Sequence, residues 1–176
     1  MKKICLFLFL LVALGASAQK TVFPLVKDFG PVFEVPFAVT LTDPKQEYKI
    51  LLDVVTAGAK PDQVNENLEN VARIMNLHAQ AGIPAKKIHM IAVIHGSAIT
   101  SILNNETYQQ KLGVPNPNLP LLAALKQAGV ELYVCGQTLF KRNIDIQTVT
   151  PEVKPSLSAI TTISTFVSKG YTVFKF

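Results

Sequence analysis

The sequence contains no tryptophan, only two cysteines and few charged side chains. Asp, Glu, Lys and Arg make up 16% of its 176 residues, below the ~25% that is usual for soluble domains. Together with a hydrophobic fraction of 49%, this composition argues against a disordered chain and against a protein that binds nucleic acid through charge. The net charge of +5 is dispersed, because no five like charges follow one another.

Motifs of several catalytic and metal sites are absent as well. The glycine pattern of a phosphate-binding loop does not occur, and neither does the G-x-S-x-G pattern of a nucleophilic serine. The histidines, His78, His89 and His95, do not stand at zinc-ligand spacings from a cysteine. We therefore expect neither a metal ion nor a cofactor.

The first eighteen residues have the three-part pattern of a secretory signal peptide. Lys2 and Lys3 precede an apolar run over residues 4–15, and residues 16–18 (Ala-Ser-Ala) form a small-x-small cleavage pattern. The alternative, an N-terminal membrane anchor, requires a longer apolar segment. We expect an exported protein, periplasmic or secreted, that begins near Gln19 and has no membrane segment after cleavage.

Cleavage leaves a single cysteine, Cys135, because Cys5 lies within the leader. It also removes Lys2 and Lys3, so that fifteen basic and twelve acidic side chains give a net charge of +3. An unpaired thiol is unusual in an oxidising compartment. Such a thiol is buried and inert, linked to another molecule, or used in chemistry.

The mature chain divides into an arm and a domain. Residues 19–45 form a proline-rich, largely apolar arm in which the prolines exclude a helix and residues 28–31 predict a turn. In residues 46–176, apolar strand-like runs alternate with helical patterns. Short connections between them predict an α/β fold, a three-layer α/β/α arrangement around a mostly parallel sheet of four to five strands.

The predicted elements follow from apolar periodicity and from helix-capping residues. Strands are expected over residues 48–55, 88–94, 130–134 and 171–176. Helices are expected to begin after Asp62, Ser97, Asn118 and Ser156 or Ser158, and residues 148–155 are expected to be irregular.

Two polar groups are predicted at the carboxyl edge of the sheet, where ligands meet open parallel sheets. His95 and Gly96 end the second strand, and Cys135, Gly136 and Gln137 end the third. The start of a helix favours the thiolate, and glycine leaves space beside the sulfur. The alternatives are a packed structural cysteine and a histidine that accepts the thiol proton, orients a ligand or ends a strand.

Asn116 and Asn118 flank Pro117. Their simplest role is to form a turn and a helix cap. The functional alternative is that Asn116 lines the same pocket as the thiol.

These segments resemble the DsrE/DsrF-like superfamily of sulfur-relay proteins, which includes the TusBCD components. The most specific part is Gly129–Cys135 followed by Lys141 and Arg142, and residues 95–96, 116–118, 135–137 and 158–159 are similar to an exported branch. The resemblance implies a three-layer domain, a homo-oligomer (often a trimer or hexamer), and a persulfide on Cys135 exchanged with a thiol or persulfide donor and acceptor. Two features depart from the relay proteins. One is the expected export, and the other is Gln137, which stands in place of a small apolar residue.

Three functional hypotheses remain open at this stage. The first is a sulfur carrier, sulfurtransferase-like if it turns over, that uses Cys135. The second is a non-catalytic module that binds a small ligand or assembles an oligomer, in which the cysteine is structural. The third is a redox-sensing thiol that forms mixed disulfides.

We predict that residues 20–44 contribute to contacts between subunits, because a domain this small offers little cover for so apolar an arm. A chain shortened to begin near Lys45 should lose oligomeric mass and melt at a lower temperature than the longer chain. Light scattering and calorimetry measure both quantities. Unchanged values for both would contradict the prediction.

Overall fold

The computed structural model describes residues 20–176. The predicted signal peptide lies outside the described residues and stays a prediction. The described part is a mixed α/β structure, in which a parallel sheet is flanked by helices on its two faces. No helix in residues 20–176 has the length and apolar character needed to cross a membrane.

Seven strands occur among the described residues. They are β1 (Thr21–Val22), β2 (Val32–Phe33), β3 (Tyr48–Val54), β4 (Ile88–Ile94), β5 (Glu131–Cys135), β6 (Val153–Ser156) and β7 (Thr172–Phe174). The first two form an antiparallel pair in the arm. The other five form one sheet in the order β6-β5-β4-β3-β7, with every neighbouring pair parallel. The predicted fold class is confirmed.

The connections between the strands of this sheet are helical. The α-helices are α1 (Glu66–Gln80), α2 (Asn105–Leu112), α3 (Leu119–Gln127), α4 (Gly136–Lys141) and α5 (Ala159–Ser168). Short 3₁₀ segments occupy Ala85–Lys87, Gly96–Ile102 and Ile146–Thr148.

The structure corrects three local expectations. Residues 153–156 form β6, although the segment was expected to be irregular; Pro155 is tolerated because β6 is an edge strand. Helix α1 is capped by Asn65, whose side chain accepts hydrogen bonds from the N–H groups of residues 67 and 68, and not by Asp62. Asn118 precedes α3 without a side-chain cap, because its amide oxygen instead accepts a hydrogen bond from the N–H of Asn65.

The two faces of the sheet bury unequal cores. On one face, side chains such as Ile50, Met90 and Leu132 pack with α1, α3 and the 3₁₀ segment after β4 in one large cluster. On the other face, a small cluster contains Leu51, Ile91, Val93, Cys135 and Ala159. Helix α5 alone supplies the helical part of this second cluster, so the thiol lies on the thinner side of the domain.

One buried side chain fastens the arm to the domain. Asn76, in α1, is fully buried. Its amide oxygen accepts hydrogen bonds from the N–H groups of Leu25 and Val26, and its amide nitrogen donates to the carbonyls of Val26, Phe29 and Gly30. The carboxylate of Glu69 accepts a further hydrogen bond from the N–H of Gly30. The first half of the arm is therefore part of the folded domain.

Replacing Asn76 with alanine should lower the free energy of unfolding by about 2–4 kcal/mol, because several buried backbone groups lose their partners. Alanine favours the helix more than asparagine does, so any loss must come from the arm. Urea denaturation measures the change. The matched control is Asn70→Ala in the same helix, where the side chain bonds only Arg73; equal losses in the two variants would contradict the assignment.

Candidate functional site

Cys135 is the last residue of β5 and immediately precedes α4. The apolar strand fixes its backbone, and Gly136 starts the helix against the neighbouring strand. A Cβ at position 136 would lie 2.7 Å from the carbonyl oxygen of Ser156, so any larger residue would push β5 and β6 apart. The glycine after the cysteine thus has a packing reason, namely the close approach of two chain segments.

The starts of two helices influence the pKa of the Cys135 thiol. Burial raises the pKa of the thiol, but the Thr138 hydroxyl and the backbone N–H groups of Ala159, Thr138 and Gln137 all lower it by bonding the sulfur. The hydrogen bonds outweigh burial, and the pKa lies below the ordinary value of a cysteine. Two of the N–H groups belong to the first turn of α4, and the third begins α5.

The thiol is covered by side chains of its own face of the sheet. Cys135 is 5% exposed and packs in the cluster with Val93 and Ala159. Three apolar side chains of α4 and of the start of α5 are open to solvent: Phe140 in α4, Leu157 before α5, and Ile160 in α5 are 86%, 73% and 81% exposed. We refer to these three residues as the apolar rim.

His95 follows β4 and pairs with an acid on the next strand. Its Nε2 lies 2.7 Å from Oδ1 of Asp53 on β3, and the other oxygen of Asp53 lies 3.6 Å from the Lys175 ammonium. The His95 and Asp53 side chains are 25% and 12% exposed. Because β3 and β5 flank β4 on opposite sides, this contact directs Nε2 of the ring away from the strand of Cys135. The hydrogen bonds to the sulfur come from other groups.

Gly96 and Gln137 are the other predicted site residues at the carboxyl edge of the sheet. Gly96 begins the 3₁₀ segment after His95 with a φ of 60°, and a Cβ there would lie 2.6 Å from the carbonyl oxygen of Val55. Gln137 is exposed, and its contribution to the thiol is its backbone N–H.

Asn116 and Asn118 are buried in a polar network away from the thiol. The Asn116 amide nitrogen donates to the carbonyls of Ser101 and Leu103, and its oxygen accepts from the N–H and the side chain of Asn118. Asn118 lines a cleft of about 210 Å³ together with Asn65 and Ser101, which belong to the large-core face. The structure therefore does not bring the two asparagines to Cys135.

The sequence interpretation did not identify Thr138, Ala159 or Lys175 as parts of these groups, and it considered Asp53 only as a polar residue near the end of the first strand. Position 138 carried a usable signal, because a hydroxyl three residues after a cysteine at a helix start reaches back to it. Asp53 carried one as well, since it is the only acidic residue in the strand YKILLDV. Ala159 contributes only its backbone N–H, and such a contribution cannot be predicted from the type of residue. Among residues 20–176, no three His, Cys, Asp or Glu side chains group closely enough to hold a metal ion.

Comparisons with known proteins agree on the fold. The family described as "DsrE/DsrF-like family" matches residues 49–176. A protein of unknown function, MTH1491 from Methanobacterium thermoautotrophicum, superposes with a TM-score of 0.54 at 14% identity and covers 74% of this chain and 100% of its own. The YchN protein from E. coli superposes with a TM-score of 0.53 at 17% identity, covering 73% and 99%. No curated protein matches the sequence.

Replacing Thr138 with valine should raise the pKa of the Cys135 thiol, because the strongest single hydrogen bond that favours the thiolate is lost while the shape is kept. The midpoint of the pH dependence of alkylation by iodoacetamide then moves to higher pH. Thr138→Ser retains a hydroxyl and should leave the midpoint near that of the unaltered chain. Identical midpoints for all three proteins would show that the hydroxyl does not act on the sulfur.

Proposed function

The chain belongs to the DsrE/DsrF-like family, and we propose that it carries sulfane sulfur as a persulfide on Cys135. Membership relates its fold to sulfur relay. The observation that carries the proposal is the position of Cys135 at the end of β5, directly before α4 and packed with Ala159 at the start of α5. Backbone N–H groups of these helix starts and the Thr138 hydroxyl lower the pKa of the thiol. Such donors stabilise a thiolate, which is the form of cysteine that attacks sulfur.

The proposed reaction consists of two exchanges at sulfur. The Cys135 thiolate attacks the outer sulfur of a donor persulfide, R–S–SH. A new S–S bond forms to Cys135, the S–S bond of the donor breaks, and its electron pair leaves with the donor as a thiolate. An acceptor thiolate then attacks the outer sulfur on Cys135 and regenerates the Cys135 thiolate. Each exchange conserves atoms and charge and needs no external oxidant.

The same donors also serve the second exchange. The Cys135 thiolate is the leaving group there, and a thiol of low pKa leaves faster. Residues 20–176 contain no other cysteine, so the persulfide has no internal thiol to convert it to a disulfide. The arrangement thus favours both loading and release of the sulfur atom.

We also propose that the carrier acts outside the cytoplasm and as a homo-oligomer. The leader pattern of residues 1–18 supports export. The apolar rim supports assembly, since exposed apolar groups on this scale mark protein contacts. The donor and acceptor are thiol or persulfide compounds.

A second candidate function is an assembly module in which the cysteine is only packed. Two observations favour it. Cys135 is 5% exposed, and α5, which covers it, contains no charged residue although six of its ten residues are exposed to solvent. In this alternative α5 is an interface helix, and replacing Cys135 leaves the biological role unchanged.

Treatment of the folded protein with glutathione persulfide should add 32 Da to Cys135, and excess thiol should remove the addition. Intact mass spectrometry follows the adduct, and peptide mapping locates it. The expected loading is lost in Cys135→Ser.

In the uncleaved chain, Cys5→Ser is the matched control, because it removes the other cysteine of the sequence and should load normally. The carrier function is refuted if the sulfur of Cys135 reacts with persulfide only after denaturation. Loading confined to Cys5 would refute it equally.

A further inference from the structure

The second half of the arm contains a strand-like segment that lacks a backbone partner. Residues 38–42 read Ala-Val-Thr-Leu-Thr, an alternation of apolar and polar residues with β-branched side chains that is typical of a strand. In the described chain, no backbone hydrogen bond involves residues 39–42. Val39 and Leu41 are 83% and 93% exposed. We refer to residues 38–42 as the free segment.

The central sheet has one edge that lacks the usual protection against a further strand. The β6 edge carries Pro155 and Lys154, both of which discourage pairing. The β7 edge, Thr172–Phe174, has neither proline nor charge, pairs only with β3, and is exposed along its whole length. Phe174 stacks on Phe176, and both rings are partly open to solvent.

The free segment and the β7 edge lie on either side of the last turns of α1. Leu77, Gln80 and Ala81 line a groove of about 420 Å³ with the free segment, and the hydroxyl of Thr42 donates to the carbonyl of Ala81. His78, one residue further, lines a second groove with Thr172 and Phe174. The free segment is thus held beside α1, away from the outer edge of its own β7.

From these observations we propose that the free segment of one copy pairs as an added strand with the β7 edge of a second copy. The pairing is independent of the function assigned to Cys135. Because each copy has one free segment and one open edge, two copies related by a two-fold axis exchange segments reciprocally, and the assembly closes as a dimer. The free segment and the β7 edge each supply the backbone hydrogen-bonding groups that the other lacks, as in strand addition generally.

The apolar surface available is of the size that a stable contact requires. Phe37, Val39, Leu41, Leu77, Phe174 and Phe176 are between 39% and 93% exposed. At 150–250 Å² for a large aromatic side chain and less for an aliphatic one, they expose roughly 700 Å² together, near the ~800 Å² that each partner of a standard interface buries. No charged side chain lies within residues 35–42 or 170–174. Pairing of the two segments therefore buries no charged side chain from these residues.

Cross-linking between two differently labelled proteins tests the pairing. One protein carries Leu41→Cys and the other Val173→Cys, both in the full chain with Cys5→Ser and Cys135→Ser. On mixing and mild oxidation, a mixed disulfide dimer should form at least about tenfold faster than with Phe140→Cys in place of Val173→Cys. Phe140 is the control because it is more exposed than Val173 (86% against 39%) but lies on the apolar rim, so exposure alone would favour linking to position 140.

Substitution at the centre of the free segment tests the same pairing without cysteines. Thr40→Pro removes a backbone N–H from an exposed position and should weaken self-association at least about tenfold in sedimentation equilibrium. Thr40→Val keeps strand propensity and should not. Circular dichroism melts verify that both variants are folded.

The proposal is overturned by any of four results, of which the first three concern cross-linking and the unaltered protein. These are equal cross-linking of Leu41→Cys to positions 173 and 140, preferential linking of Leu41→Cys to itself, and an unaltered protein that stays monomeric at every concentration. Self-association that Thr40→Pro leaves unchanged also overturns it.

Discussion

The candidate site depends on the meeting of two helix starts at the Cys135 thiol, whose pKa they lower. It requires that β5 ends beside β6, that α4 starts at once, and that α5 starts within reach of the same atom. Gly136 makes this possible, because only a residue without a Cβ allows the chain to pass 2.7 Å from where that atom would lie. The chemistry of Cys135 therefore depends on how three chain segments meet, and not on the cysteine side chain alone.

The strands that the sequence predicted best are those with a continuous apolar run that ends at a polar group. Residues 88–94 were predicted with the bounds of β4, and β3 differs by one residue. Strand β6 was missed because Val-Lys-Pro-Ser has neither a run nor an alternation, and its pairing with β5 decides its structure. Local pattern identifies buried strands, whereas edge strands depend on their neighbours.

The candidate site was predictable in position but not in its partners. Cys135 and His95 were both expected at the carboxyl edge, since alternating strands and helices imply a parallel sheet. Which group touches which depends on contacts that no local pattern encodes. Asp53 on β3 contacts His95, which follows the neighbouring strand β4 and lies 42 positions later in the sequence. Asn118 accepts a hydrogen bond from the N–H of Asn65 instead of capping α3. Buried amides are versatile in this way, since one asparagine has both donors and an acceptor.

The place of β7 in the sheet has a consequence for the order in which the protein folds. Strand β7 pairs with β3, although nearly the whole domain separates them in sequence, while β3, β4, β5 and β6 add one after another in chain order. During synthesis, a ribosome releases β3 long before its second neighbour exists. One edge of β3 therefore has no hydrogen-bonded neighbour until β7 has been made. Contacts so distant in sequence form slowly. The last pairing of the sheet therefore forms only when nearly the whole domain has been made.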